Sequence, residues 1–167
     1  MEFIALSLKP LTADAFAPYG DVIEACNKNQ VININYGRAK RHHDLARIDV
    51  GDEQGKPLIS IFESCATKLP FLVRVMECHP LGSQAFFPID NIFYIVLVCK
   101  PGDFDYQKIE GFLAKPGQGV NYHKGTWHHH NLALDTAGKF LVVDRGGNGD
   151  NLREAHIPND VVMQIIL

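Results

Sequence analysis

Four of the chain's eight histidines, His123, His128, His129 and His130, fall within eight consecutive positions around Trp127, the only tryptophan. Imidazole titrates near pH ~6.5, so each can act as acid, base or metal ligand at neutral pH. On an extended strand His128 and His130 share one face, and His129 lies on the other with Trp127. Without a bulge, at most two of the three consecutive histidines enter one cavity. Taken singly, a strand histidine is adequately explained as a solvated or hydrogen-bonded residue; clustering beside Tyr122 and the Gly125 turn is what favours a functional reading.

A second set lies upstream. In Val73-Arg74-Val75-Met76-Glu77-Cys78-His79, period-two alternation puts Val73, Val75, Glu77 and His79 on one face. A carboxylate and an imidazole on an apolar face are costly to bury unless paired or bound to something. The alternative is an edge strand that leaves both in water. Gln84 follows five residues after His79, past the turn Pro80-Leu81-Gly82. Two further stretches carry charge beside glycine. Asn35 to Asp44 joins a turn to Arg38, Lys40 and Arg41, two histidines and a carboxylate, which suits an anion site or equally a solvated loop leading into a strand over Leu45 to Val50. Asp144-Arg145-Gly146-Gly147 ends an apolar run, so it reads as a functional pair or as an ion pair closing a turn.

The elements that must position these groups are short strands. Turn residues recur every ten or so positions, and between them lie Leu58 to Phe62, Phe71 to Val75, Ile92 to Cys99 and Phe140 to Val143, rich in Val, Ile and Phe. That spacing predicts an all-β sandwich or barrel rather than βαβ units. Helix is limited to a short segment capped by Thr12 and stopped by Pro18, and a turn starting at Pro158. Length and composition fit one globular domain over residues 1–167. A net charge of −3 with no basic stripe argues against nucleic acid as partner. Cys26, Cys65, Cys78 and Cys99 form no CxxC pair and read as buried free thiols in a reducing compartment. The N-terminal stretch is unlike a signal peptide and no apolar run would span a bilayer, so the expected location is cytoplasmic.

The order Glu77, His79, Gln84 resembles the first cupin motif, with Glu77 in place of its first histidine and Gln84 in place of its glutamate. His123-Lys124-Gly125-Thr126-Trp127-His128 is similar to the second, keeping the glycine and last histidine, with His123 where a proline is usual. More specifically, the chain resembles the ureidoglycolate lyase family, through Phe16 to Glu24, Arg41 to Ala46, His79 to Phe86, Gly119 to His123, Trp127-His128-His129 and Asp144 to Gly147. Where that pattern usually has proline after the paired histidines, this chain has His130. The resemblance implies a cupin-like antiparallel β-barrel of the double-stranded β-helix or jelly-roll type with a few short helices. It also implies a homodimer, cleavage of ureidoglycolate to glyoxylate and urea in allantoin and purine catabolism, and a divalent metal, nickel by association.

Breaking the carbinol C–N bond of ureidoglycolate requires a base for the hydroxyl proton and an acid for the departing nitrogen, and no nucleophilic serine or cysteine. On this basis Glu77, His79, Gln84 and His128 are the expected central and metal-ligating cluster, and His79, His123, His128 and His129 the expected acid/base candidates. Asn121 and Tyr122 are expected substrate contacts, with Arg41 or Arg145 on the substrate carboxylate, since a guanidinium matches it bidentately. Two alternatives keep the same cluster: a metal-dependent cupin of other chemistry, and a non-catalytic barrel that binds a small ligand.

Overall fold

The strand Tyr94–Cys99 is buried at all six positions. Tyr94, Val96 and Val98 belong to one apolar cluster, and Ile95, Leu97 and Cys99 to another. A strand apolar on both faces must be covered twice, and the computed structural model, which describes residues 1–166, does so with three stacked sheets.

The central sheet has the order β17 (Arg153–His156), β9 (Val75–Cys78), β14 (Trp127–His128), β11 (Tyr94–Cys99), β12 (Glu110–Ala114), β2 (Leu8–Pro10), with β15 (Leu132–Leu134) also on β11 and β7 (Ala66–Thr67) beyond it. On one side lies an antiparallel five-stranded sheet, ordered β3 (Gly20–Ile23), β13 (Gly119–Tyr122), β10 (Gln84–Pro88), β16 (Gly138–Gly146), β6 (Lys56–Ser64). Phe86, Val120, Tyr122, Phe140 and Val142 of this sheet pack on Tyr94, Val96, Val98 and Phe112, and Phe16 of α1 (Ala13–Phe16) closes that core. On the other side, β1 (Glu2–Leu6), β18 (Val161–Ile165) and β8 (Phe71–Val73) cover Ile95, Leu97 and Trp127. A hairpin of β4 (Val31–Ile34) and β5 (Ala39–His42) pairs only with itself. No helix among the described residues is long and apolar enough to cross a membrane.

The expected all-β, cupin-like fold is present, as facing sheets rather than a closed barrel: β3 and β6 remain edges of the five-stranded sheet. Thr12 caps α1 as expected, its Oγ1 accepting from Ala15 N at 3.3 Å. Four local expectations are corrected. The Pro158 segment forms a tight turn, with Val161 N donating to Pro158 O at 3.0 Å, and leads straight into β18 rather than into helix. Residues 45–50 form no strand, because side chains take their backbone groups: Asp21 Oδ2 accepts from Arg47 N and Ser83 Oγ from Asp49 N. The alternation from Val73 to His79 breaks at Arg74, where the chain leaves its pairing with β18 to join β14 and β17; Val73 therefore shares a core with Met76 and Cys78. Finally, Cys65 is exposed and Cys26 partly so, while Cys78 and Cys99 are buried; all four are free.

Candidate active site

Glu77 and His128 sit directly opposite one another on β9 and β14 of the central sheet. Gln84 opens β10 in the facing sheet, paired with Tyr122, and His79 lies just beyond β9. The cluster expected at the junction of the two sheets, Glu77, His79, Gln84 and His128, is therefore assembled, and three of its members offer ligand atoms within 4.8 Å of one another. The wall behind it is rigid, with the imidazole of His128 stacked on Tyr122 at 4.2 Å between ring centres and 8° between planes.

Hydrogen bonding fixes how these groups face each other. His79 Nδ1 donates to Asn151 O at 2.8 Å, and His128 Nδ1 to Thr126 O at 3.0 Å. A carbonyl oxygen only accepts, so the proton of each neutral imidazole is on Nδ1 and each Nε2 presents a bare lone pair. Both Nε2 atoms lie 3.2 Å from Gln84 Oε1. Gln84 cannot relieve this by turning over, because its Nε2 donates to Asp144 Oδ2 at 3.2 Å. Glu77 Oε1 completes the ring, 3.5 Å from His128 Nε2 and 4.0 Å from His79 Nε2.

Four lone-pair atoms thus converge with no hydrogen between them. Protonating His128 would be one remedy, but burial pushes its imidazole below the ordinary value against the pull of Glu77. A cation is the other. Ligands about 2.0–2.2 Å from a divalent ion stand roughly 3–3.5 Å apart, the spacing found around Gln84 Oε1. Carbonyls holding the far nitrogens of ligating histidines are the usual outer support of such a centre. Two imidazoles, a carboxylate and an amide oxygen therefore fit a divalent metal, and Glu77, His79 and His128 form a possible metal-binding cluster.

Burial opposes charge on Glu77, but hydrogen bonding and charge attraction to His128, then His130 and His79, hold this carboxyl below its usual range; that pull needs positive charge at the cluster, which a bound cation supplies where the imidazoles are neutral. Its other oxygen, Oε2, lies 3.4 Å from Nε2 of the half-exposed His130. His128 and His130 thus share the face that alternation assigns them. His129, buried on the opposite face, packs against Phe71 and donates from Nδ1 to His130 O; burial lowers its pKa.

The cluster opens into a cleft of about 430 Å³ lined also by Phe62, Asp144, Arg145 and Asp150. Arg145 reaches the cleft wall, yet its guanidinium is engaged: Nε and Nη2 donate to Asp52 O and Nη2 also to Asn148 O. Only Nη1 is left, so neither two-nitrogen edge is open to a carboxylate. A Cβ at Gly55 or Gly82 would strike this side chain, so the arginine is built into the wall. Arg41 is exposed on β5, outside the cleft. Asn121 points away from Tyr122, donating to Asp21 Oδ2 and Arg47 O, and His123 pairs with Asp21 Oδ2 at 3.0 Å on that same outer face. The carbonyls of Asn151 and Thr126 escaped sequence reasoning because backbone acceptors leave no trace in residue type. Asp144 and His130 did leave one, as a charge at a strand end and as the face partner of His128.

The family model described as Ureidoglycolate lyase matches residues 3–164. A ureidoglycolate lyase of Burkholderia mallei is 52% identical over 156 residues, covering 93% of this chain and 91% of that protein. Those of a Chelativorans species and of Pseudomonas entomophila are 44% and 41% identical, each over at least 90% of both chains. With matches of this extent over a site of this composition, the chain belongs to the ureidoglycolate lyase family.

Proposed function

We propose that residues 1–167 act as one catalytic domain, a lyase that splits ureidoglycolate into glyoxylate and urea. The observation that carries the reading is the convergence of two imidazole Nε2 atoms with Gln84 Oε1 and Glu77 Oε1, in an open cleft large enough for a small polar substrate. Glu77, His79, Gln84 and His128 would hold the metal; a mixed nitrogen and oxygen set suits nickel(II). A divalent ion bound there lowers the pKa of a neighbouring hydroxyl, as it does for water.

The chain's own groups then handle two protons. With their Nε2 lone pairs committed, His79 and His128 hold rather than shuttle. Asp144 stands beside the cluster and takes the substrate hydroxyl proton through the carboxylate oxygen not bonded to Gln84. The O–H electron pair becomes the second bond of the new carbonyl, and the C–N pair leaves on nitrogen. His130 Nε2, 3.4 Å from Glu77 Oε2, protonates that nitrogen. No water is consumed. The four unpaired cysteines support a reducing, cytoplasmic location.

Anaerobic incubation of the metal-supplied protein with ureidoglycolate tests the reading. Urea and glyoxylate should appear in equal amounts, without cosubstrate. Failure of either to form above the spontaneous rate would sink it.

A further inference from the structure

The hairpin β4–β5 has no partner strand among the described residues, and Val31, Ile32 and Tyr36 are exposed, Tyr36 completely. A lone two-stranded hairpin is marginal in water, so one that offers apolar groups to solvent calls for a covering surface. Its register assigns the faces. Ile32 opposes Arg41 and Ile34 opposes Ala39, so Arg41 rides on the apolar face; Val31, Asn33, Lys40 and His42 share the other. From Val31 to His43 the arm carries Arg38, Lys40 and Arg41 and no acidic residue.

The complementary surface is the mouth of the cleft. Glu77, Asp144 and Asp150 line it, and Arg145, its own arginine, is committed to backbone carbonyls. With Glu77 given over to the metal on the lyase reading, Asp144 and Asp150 keep the mouth acidic, and the wall frees no guanidinium to grip a substrate carboxylate. Beside the mouth runs the edge strand β6, nine residues long, whose exposed Phe62 lines the cleft, with Leu58, also exposed, on the same face of the strand by alternation. Its outer edge pairs with no other strand among the described residues, a template for an added strand or hairpin.

We propose that the β4–β5 hairpin is an exchange arm. It docks its Ile32, Ile34, Ala39 and Arg41 face on a second copy of this chain, against β6, and Arg41 grips the substrate carboxylate in that copy's cleft. Two-fold symmetry lets each chain complete the other's site. The nature of the anion rests on the lyase reading; the docking does not.

Two measurements separate them. In light scattering the wild-type chain should be a dimer, and Ile32→Asp with Ile34→Asp should make it a folded monomer. A monomeric wild type, or a variant that stays dimeric, overturns the arm and leaves the lyase reading standing. For Arg41, two differently tagged variants, Arg41→Ala and His79→Ala, are co-expressed and the mixed dimer is isolated by both tags. Each variant alone should be nearly inactive at low substrate, Arg41→Ala through a KM raised roughly 10- to 100-fold by loss of a bidentate pair. The mixed dimer should recover about half the wild-type rate, since one of its two sites is intact. A mixed dimer as inactive as its parents places Arg41 in its own chain's site or in none, and the proposal falls.

Discussion

Gln84 Nε2 donates to Asp144 Oδ2 across 3.2 Å, and that bond turns the amide oxygen of Gln84 toward both His79 and His128. An untethered amide could rotate and offer its own N–H groups to the two bare nitrogens, which would satisfy the cluster without any cation. Asp144 thus removes the alternative that would make a metal unnecessary.

Replacing Asp144 by Leu, of similar size, should therefore weaken metal binding about 10- to 100-fold, the usual effect of losing an outer-shell partner. Titration calorimetry with nickel(II) measures this directly. Unchanged affinity would mean that Gln84 is oriented by something else.

His79 and His128 should part company when stability is measured beside activity. Alanine at either should abolish turnover. His79 stands at the cleft, whereas His128 is fully buried against Tyr122. Only His128→Ala empties a core volume, at a cost of about 2–4 kcal/mol by analogy with other large-to-small core changes. Denaturant midpoints of the two variants test the contrast, and equal losses would contradict the burial argument.

The same contrast shows what the sequence reveals and what it hides. Alternation in Trp127-His128-His129-His130 assigns the faces correctly because β14 is regular where it pairs with β9 and β11. Alternation fails at Arg74, where the strand changes partners, an event that depends on β18, about ninety residues away. A cleft-side arginine is legible in Asp144-Arg145-Gly146-Gly147, but its capture by the carbonyls of Asp52 and Asn148 is not, since loop closure brings those acceptors in. The third sheet is also illegible: β1 and β18 look like ordinary terminal strands until the double burial of β11 demands a cover.

Asp21 should give the protein an acid-sensitive stability unconnected with the cluster. Burial works against its charge, but hydrogen bonds from Asn121 Nδ2 and Arg47 N, with His123 beside it, hold the carboxyl below its ordinary value. A group whose pKa falls on folding stabilises the native state above its unfolded value, about 3.9 for Asp, and loses that contribution as pH falls through the native value. Asp21→Ala also removes one of the two acceptors of the Asn121 amide, whose Oδ1 is already buried without a partner, so it should cost about 1–3 kcal/mol near neutrality. The gap between wild type and variant should narrow as pH drops from about 6 to below about 4. A gap that is constant with pH would assign the effect to packing.

Metal removal offers the most direct examination of the converging lone pairs, because it can be read without any substrate. A ligand that binds only the folded chain stabilises it by about 2.7 kcal/mol when its free concentration is about 100 times Kd. Chelation should accordingly lower the melting temperature by several degrees, and nickel(II) should restore it more effectively than manganese(II) at equal concentration, as expected for imidazole-containing sites. His79→Ala and Gln84→Leu should abolish the shift, whereas Asp21→Ala, on the outer face of β3, should keep it. Turnover should follow the same pattern, lost on chelation and regained on readdition. Should verified metal-free protein retain both its full melting temperature and its full activity, the four lone pairs would have to be satisfied by protons, and His128 would have to be charged despite its burial.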